Sequence, residues 1–231
     1  MPARSVIIAL SFLLWFSFTT FNPLSLASAS SEEEPVNDVN GEPIVPGQEY
    51  YIMSAVWGAD AGGGVKPGRA GDASACAYSV LQESSEKNKG AAVKFHVQGT
   101  STDKIYPGST ALAIEFVEKP DCAESSKWVV AYDGSGSSSS RLVIGGAEDH
   151  PDSELVSGVF RIEVFNAIAY KLVFCSKSNV FSSSSGACYD VGVDYKAEGS
   201  RNLVVEKQSS GNVFMVAFVK ADSDKGQFSI I

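Results

Sequence analysis

Basic charge is in short supply in this chain: 18 Lys and Arg stand against 27 Asp and Glu, a formal net charge of −9. A surface that tracks nucleic-acid phosphates needs clustered cations, so nucleic acid is not expected as a partner. Histidine is rarer still, present at His96 and His150, and the four cysteines contain no Cys-x-x-Cys pair. A structural metal site has no ligand set of the usual spacing, and no metal is expected. The chain also lacks a Gly-x-Ser-x-Gly elbow, a phosphate loop, a His-Glu-x-x-His helix and a dinucleotide fingerprint. His96 falls in a strand-like run beside a loop and His150 in the polar turn Glu148-Asp149-His150-Pro151, so neither is read as part of a Ser-His-Asp arrangement. Asp and Glu are frequent but show no distinctive spacing. Neither an enzyme nor a cofactor is expected.

Long apolar runs are missing except near the start, where Arg4 precedes an apolar stretch from Val6 to Phe18 and Ala27-Ser28-Ala29 offers small residues to a signal peptidase. That stretch is about 13 residues, short of the roughly 20 that span a bilayer. Residues 1–29 are therefore read as a signal peptide, and residues 30–231 as one secreted domain with no membrane partner, extracellular or vacuolar. In that compartment four cysteines are most simply two disulfides, with three possible connectivities.

What the chain does contain is a succession of short runs rich in β-branched and aromatic residues. They lie at 49–56, 76–82, 92–97, 111–117, 127–132, 141–144, 158–165, 169–175, 189–195, 202–206 and 214–219. With a weaker run at 64–66 they make about twelve, nearly all bounded by Gly, Ser, Asn, Asp or Pro. No apolar period of 3.6 runs for a helix length, so an all-β barrel or sandwich is expected. Ser135 to Ser140 and Ser182 to Ser185 are read as exposed loops. Trp57 and Trp128 are read as packing residues.

The opening strand carries more. Asn40-Gly41 supplies a tight turn, Pro43 restricts its exit, and the chain alternates into Tyr50, Tyr51 and Ile52. Val36, Asp38, Gly41, Ile44, Tyr50 and Ile52 together match the N-terminal pattern of the Kunitz-type plant protease inhibitors, the soybean trypsin inhibitor family that includes miraculin-like members. The likeness continues through Gly62-Gly63-Gly64, Cys76, Tyr78-Ser79-Val80-Leu81-Gln82, the run from Leu112 to Phe116, and Phe160-Arg161-Ile162-Glu163. It is strongest at Tyr170-Lys171-Leu172-Val173-Phe174-Cys175 and returns at Asp190-Val191-Gly192-Val193 and Arg201-Asn202-Leu203-Val204-Val205.

This resemblance implies a β-trefoil of pseudo-threefold symmetry, monomeric, with disulfides Cys76–Cys122 and Cys175–Cys188 stabilising it by roughly 4 and 3 kcal/mol. It also implies a non-catalytic serine protease inhibitor of plant defence, whose exposed loop enters an endopeptidase cleft as a substrate would and binds tightly because it is held rigid. The loop falls on Gln98, Gly99, Thr100, Ser101, Thr102, Asp103 and Lys104. Alignment from Cys76 forward puts the reactive bond between Thr100 and Ser101, whereas alignment back from Phe116 gives Thr102. Neither threonine carries the positive charge of trypsin-directed members, and a small-pocket, elastase- or subtilisin-like protease suits it better. Lys104 is the nearby basic residue. At the loop's support, Pro46 stands where inhibitory members have an Asn that hydrogen-bonds the loop, a bond proline cannot make. The alternative is a family member that does not inhibit and serves as a small-molecule-binding, stress or storage protein.

Overall fold

The computed structural model describes residues 33–58, 61–69, 78–134, 139–178, 186–206 and 212–221. The expected leader 1–29, Cys76 and the Ser182–Ser185 patch lie outside them. Within them the chain is all-β, with thirteen strands: β1 (Glu49–Ser54), β2 (Val65–Arg69), β3 (Tyr78–Gln82), β4 (Val93–Val97), β5 (Leu112–Phe116), β6 (Trp128–Tyr132), β7 (Ser139–Ile144), β8 (Glu154–Val156), β9 (Gly158–Asn166), β10 (Ala169–Ser176), β11 (Cys188–Tyr195), β12 (Arg201–Glu206) and β13 (Met215–Lys220).

Period-two burial explains the inner strands. In β1 Tyr50 and Ile52 are buried, in β4 Val93 and Phe95, in β5 Leu112, Ile114 and Phe116, while their neighbours are part-exposed. Six strands then close a ring by antiparallel pairing, β13–β1–β4–β5–β9–β10 and back from β10 to β13. Closure leaves these six without a free edge, and their inward side chains fill the interior. Phe95 meets Phe218 edge-on at 5.6 Å, and Tyr170 of the neighbouring strand β10 packs against Phe218 at 5.7 Å with the rings tilted by 42°.

Outside the ring, three hairpins, β2–β3, β6–β7 and β11–β12, bring their strands β3, β7 and β12 into mutual pairing. The glycine-rich segment has its reason here. A Cβ on Gly64 would strike the carbonyl of Lys89, and one on Gly90, whose φ is +71°, would strike that of Val65. Only bare backbone lets these two segments approach and exchange the bonds Gly64 N–H to Asn88 O and Ala91 N–H to Val65 O. Cys175 and Cys188 sit directly opposite each other on β10 and β11 and form a disulfide.

Four sequence expectations change. The strands number thirteen rather than about twelve, because β8 is three residues long and follows a polar turn, too short for alternation to register; it forms by pairing Val156 with Val130. The weak run at 64–66 is the full strand β2, which accommodates Pro67 and Gly68 because β3 is its sole strand partner among the described residues. Ser139 and Ser140 belong to β7 rather than a loop, and Ser140 is buried. Trp57, read as a packing residue, is 63% exposed, while Trp128 is core as expected.

Candidate functional site

The connection from β4 to β5 has two unlike halves. Gln98, Gly99, Thr100, Ser101 and Asp103 are exposed, with Thr102 and Lys104 half-buried. Among the described residues Gly99, Thr100 and Ser101 take part in no hydrogen bond. Gly99 has φ +97° with open space where a Cβ would be, so the chain turns there in a conformation that favours glycine. The half ends in a small side-chain-capped turn: the Thr102 hydroxyl donates to Lys104 O at 2.7 Å and accepts from Lys104 N–H at 3.2 Å.

The second half is pinned. Ile105 is fully buried, and its carbonyl accepts a bond from Val36 N–H at 2.8 Å. Tyr106 N–H donates to the Thr110 hydroxyl at 2.8 Å, and Gly108 N–H to Ile162 O of β9 at 2.8 Å. Across the mouth of the connection, Gln98 N–H donates to Ala111 O at 2.8 Å. Residues 99–104 thus project between two fixed points, the Gln98–Ala111 bond and the Ile105–Val36 bond.

Support comes from the N-terminal segment. Val36 is fully buried, Asn37 N–H donates to the Tyr170 hydroxyl at 3.0 Å, and Asp38 folds the turn behind it by accepting from Asn40 N–H and Glu42 N–H. Pro46 lies in the next turn, half-buried; its neighbour Gly47 donates to Phe95 O at 2.9 Å on the strand that feeds the loop. Val36 and Tyr170 are anchors that sequence reasoning did not assign, although both stood in the matching patterns. Their partners lie tens of residues away along the chain, and no local pattern announces such a pairing.

The two histidines are engaged elsewhere. His96 Nε2 meets Glu115 Oε1 at 2.7 Å, a diagonal pair across β4 and β5, and His150 Nε2 donates to Ile144 O at 2.8 Å. Among the described residues no group of three or more His, Cys, Asp and Glu stands close enough to hold a metal ion. The chemistry available at the β4–β5 connection is recognition: a short, solvated run of backbone carrying small hydroxyl side chains, fixed at both ends.

Residues 36–220 match the family described as "Trypsin and protease inhibitor", Kunitz legume. A Pisum sativum protein called "Kunitz-type trypsin inhibitor-like 2 protein" is 41% identical over 96% of this chain and 95% of its own length. "Subtilisin inhibitor CLSI-II" of Canavalia lineata is 37% identical over 85% of this chain and 97% of its own. Among solved structures, a Kunitz type trypsin inhibitor from Cicer arietinum superposes with a TM-score of 0.71 at 38% identity, covering 81% of this chain and 99% of that one.

Proposed function

Because this chain belongs to the Kunitz legume family of trypsin and protease inhibitors, we propose that it is a secreted, non-catalytic inhibitor of a serine endopeptidase, acting by substrate-like insertion of residues 98–104. The observation that carries the reading is the division within one connection. Gly99, Thr100 and Ser101 offer unbonded, exposed backbone, while on either side Gln98 is tied to Ala111 and Ile105 to Val36. A protease cleft binds its substrate as extended backbone, and a run whose ends are already fixed loses little entropy on entering it. Both ends created by a cut between Thr100 and Ser101 would stay tethered a few residues away, so the products would not diffuse apart.

Specificity follows from the side chain at the bond. Thr100, or Thr102 in the shifted register, would leave the buried aspartate of a trypsin-like pocket unpaired, which disfavours that class. A shallow or small pocket accepts threonine, and the name of the Canavalia lineata relative, a subtilisin inhibitor, supports that direction.

The same proposal includes the wider architecture. The six-strand ring and three mutually paired hairpins are read as a β-trefoil spanning residues 30–231 once a 1–29 leader is removed, with Cys76–Cys122 as the second disulfide and a monomeric state. Amino-terminal sequencing of the secreted product and non-reducing peptide mapping test the leader and the pairing.

The test of function is an inhibition panel of trypsin-, chymotrypsin-, elastase-, subtilisin- and papain-like proteases. Inhibition of an elastase- or subtilisin-like enzyme, with slow cleavage at Thr100–Ser101, is the expected result. Pro46 and the open Gly99 favour a second reading, a member that does not inhibit. Inactivity across the whole panel would establish it.

A further inference from the structure

Strand direction places a second feature at the end of the ring that carries the loop. β4 runs toward residues 98–104 and β5 runs away from them; β9 is antiparallel to β5, so the turn from β9 into β10 lies at that same end. The two connections are neighbours around the ring. Gly108 N–H donates to Ile162 O at 2.8 Å, and Val164 follows two residues on, roughly 7 Å along the strand. On the other side, Tyr170 at the start of β10 takes the bond from Asn37 N–H, and Val39 N–H donates to Phe218 O of β13 at 2.9 Å.

The tip of this hairpin is apolar where a turn is ordinarily built from Gly, Asn, Asp or Ser. Ile168 is 80% exposed, Val164 58% and Phe165 44%, and Val39 on the adjoining N-terminal segment is exposed as well. The turn is nonetheless ordered: Asn166 pairs with Ala169 across the hairpin, and its side-chain oxygen accepts from Ile168 N–H at 3.0 Å. Exposed apolar side chains scattered singly need no explanation. Three of them within residues 164–168, on a fixed turn, form a patch that gains free energy when covered. Charge does not set its character, because the adjacent Glu163 is paired with Lys171 at 3.3 Å.

Its place decides what covers it. A stable protein–protein interface takes about 20–30 residues from each side, and the run from 98 to 104 supplies a fraction of that. A protein seated on the loop must draw the rest from surfaces at the same end of the ring, where the tip offers an apolar one. A lipid surface fits less well, since a chain of net charge −9 has no excess of cations to hold an anionic bilayer.

Resting on the inhibitory reading of the loop, we propose that the β9–β10 tip is a second contact for the endopeptidase held by residues 98–104, with Phe165 and Ile168 packed on an apolar patch beside the enzyme's cleft. Affinity then does not depend on the side chain at the reactive bond alone, which suits a loop that offers small threonines there. In the full chain, against the panel protease it inhibits most strongly, Ile168→Ser should raise the inhibition constant about fivefold and Phe165→Ser with Ile168→Ser about fiftyfold, through faster dissociation. The unfolding midpoint and the rate at which bound enzyme cuts Thr100–Ser101 should not change. Trp57→Ser, also at an exposed position but beyond the end of β1, which runs away from the loop, should leave inhibition as it was. In hydroxyl-radical footprinting of the unsubstituted protein, Phe165 and Ile168 should become protected when the protease is added, and Trp57 should not. The assignment is overturned if the double variant inhibits as the original does, or if Phe165 stays unprotected in the saturated complex. Protection of the tip without protease, either by self-association in sedimentation equilibrium or by added lipid vesicles, would overturn it in favour of a second copy or a membrane. A protein that inhibits no protease of the panel removes the loop reading and this one with it; intact inhibition with an indifferent tip removes this one alone.

Discussion

Two irregular connections in this molecule handle their polar groups in opposite ways. Residues 99–104 leave backbone to the solvent and make one local side-chain turn, at Thr102. The turn between β7 and β8 instead turns Asp149 and His150 inward. Asp149, 7% exposed, accepts from Glu124 N–H at 2.9 Å and Gly146 N–H at 3.0 Å, and His150 fastens to Ile144 O. Next to it Arg141 forms a two-pronged pair with Asp133, and Ser153 donates to the same carboxylate. The turn is a structural knot that consumes its own donors and acceptors. The loop keeps its donors and acceptors unspent, which is what a surface that must pair with another backbone requires.

The sharpest way to break the comparison is to alter what the loop presents. Thr100→Arg should create trypsin inhibition, by about a hundredfold or more, since a guanidinium paired with a buried pocket carboxylate is worth about 3–5 kcal/mol against leaving that carboxylate alone. Folding stability should not change. If Thr102→Arg gives the gain and Thr100→Arg does not, the reactive bond lies two residues later; a null result from both removes the inhibitory role of the loop.

The knot should answer in the other currency. Asp149→Ala removes the acceptor of two backbone donors and should lower unfolding free energy by about 2–3 kcal/mol in urea titration, with protease inhibition unaltered. A small loss would mean that water replaces the carboxylate and that this turn is no more self-contained than the loop.

Pro46→Asn acts on the support. If the proline has removed a loop-bracing bond, the variant should tighten inhibition, or slow cleavage at Thr100–Ser101, by about twofold to more than a hundredfold, the span of a bond worth about 0.5–3 kcal/mol. Unchanged inhibition constants and cleavage rates would show that Val36 and Ile105 brace the loop without help from position 46.

The smallest effect is electrostatic. The Arg141 hydrogen bonds hold the Asp133 carboxyl below its ordinary value of 3.8 against the opposing effect of burial. Its folded value being depressed, its contribution is complete above pH 3.8 and is lost as pH falls through the folded value. With the Asp133 side chain 41% exposed, screening keeps that contribution below about 1 kcal/mol. Asp133→Asn should flatten the acid limb of the stability profile below pH 4 by about that amount and leave inhibition at neutral pH untouched.

The strands were legible because burial on one face imposes alternation, and alternation is written residue by residue in runs such as Tyr50 to Ile52 and Leu112 to Phe116. The all-β class, the position of the β4–β5 connection and its small hydroxyl side chains followed from local chemistry and from family-like patterns in the sequence. Three residues at Glu154–Val156 carry too little pattern to mark a strand, and they became β8 because β6 offered an edge. Likewise Ser140 and His150 look like surface residues by type, yet the pairing of β7 and the Ile144 carbonyl draw them inside.

What the sequence determined by itself, then, was everything set by periods of a few residues: strand identity, turns, the exposed character of residues 98–101, and the absence of the usual catalytic motifs. The tertiary structure decided what depends on contacts between distant segments. It closed the ring through β10 and β13, tied Ile105 to Val36, set the β9–β10 tip at the loop's end of the ring, and exposed Trp57. The physical reason is that hydrogen bonding and burial are satisfied in space, so a residue's type fixes what it needs while its position in the fold fixes what it meets.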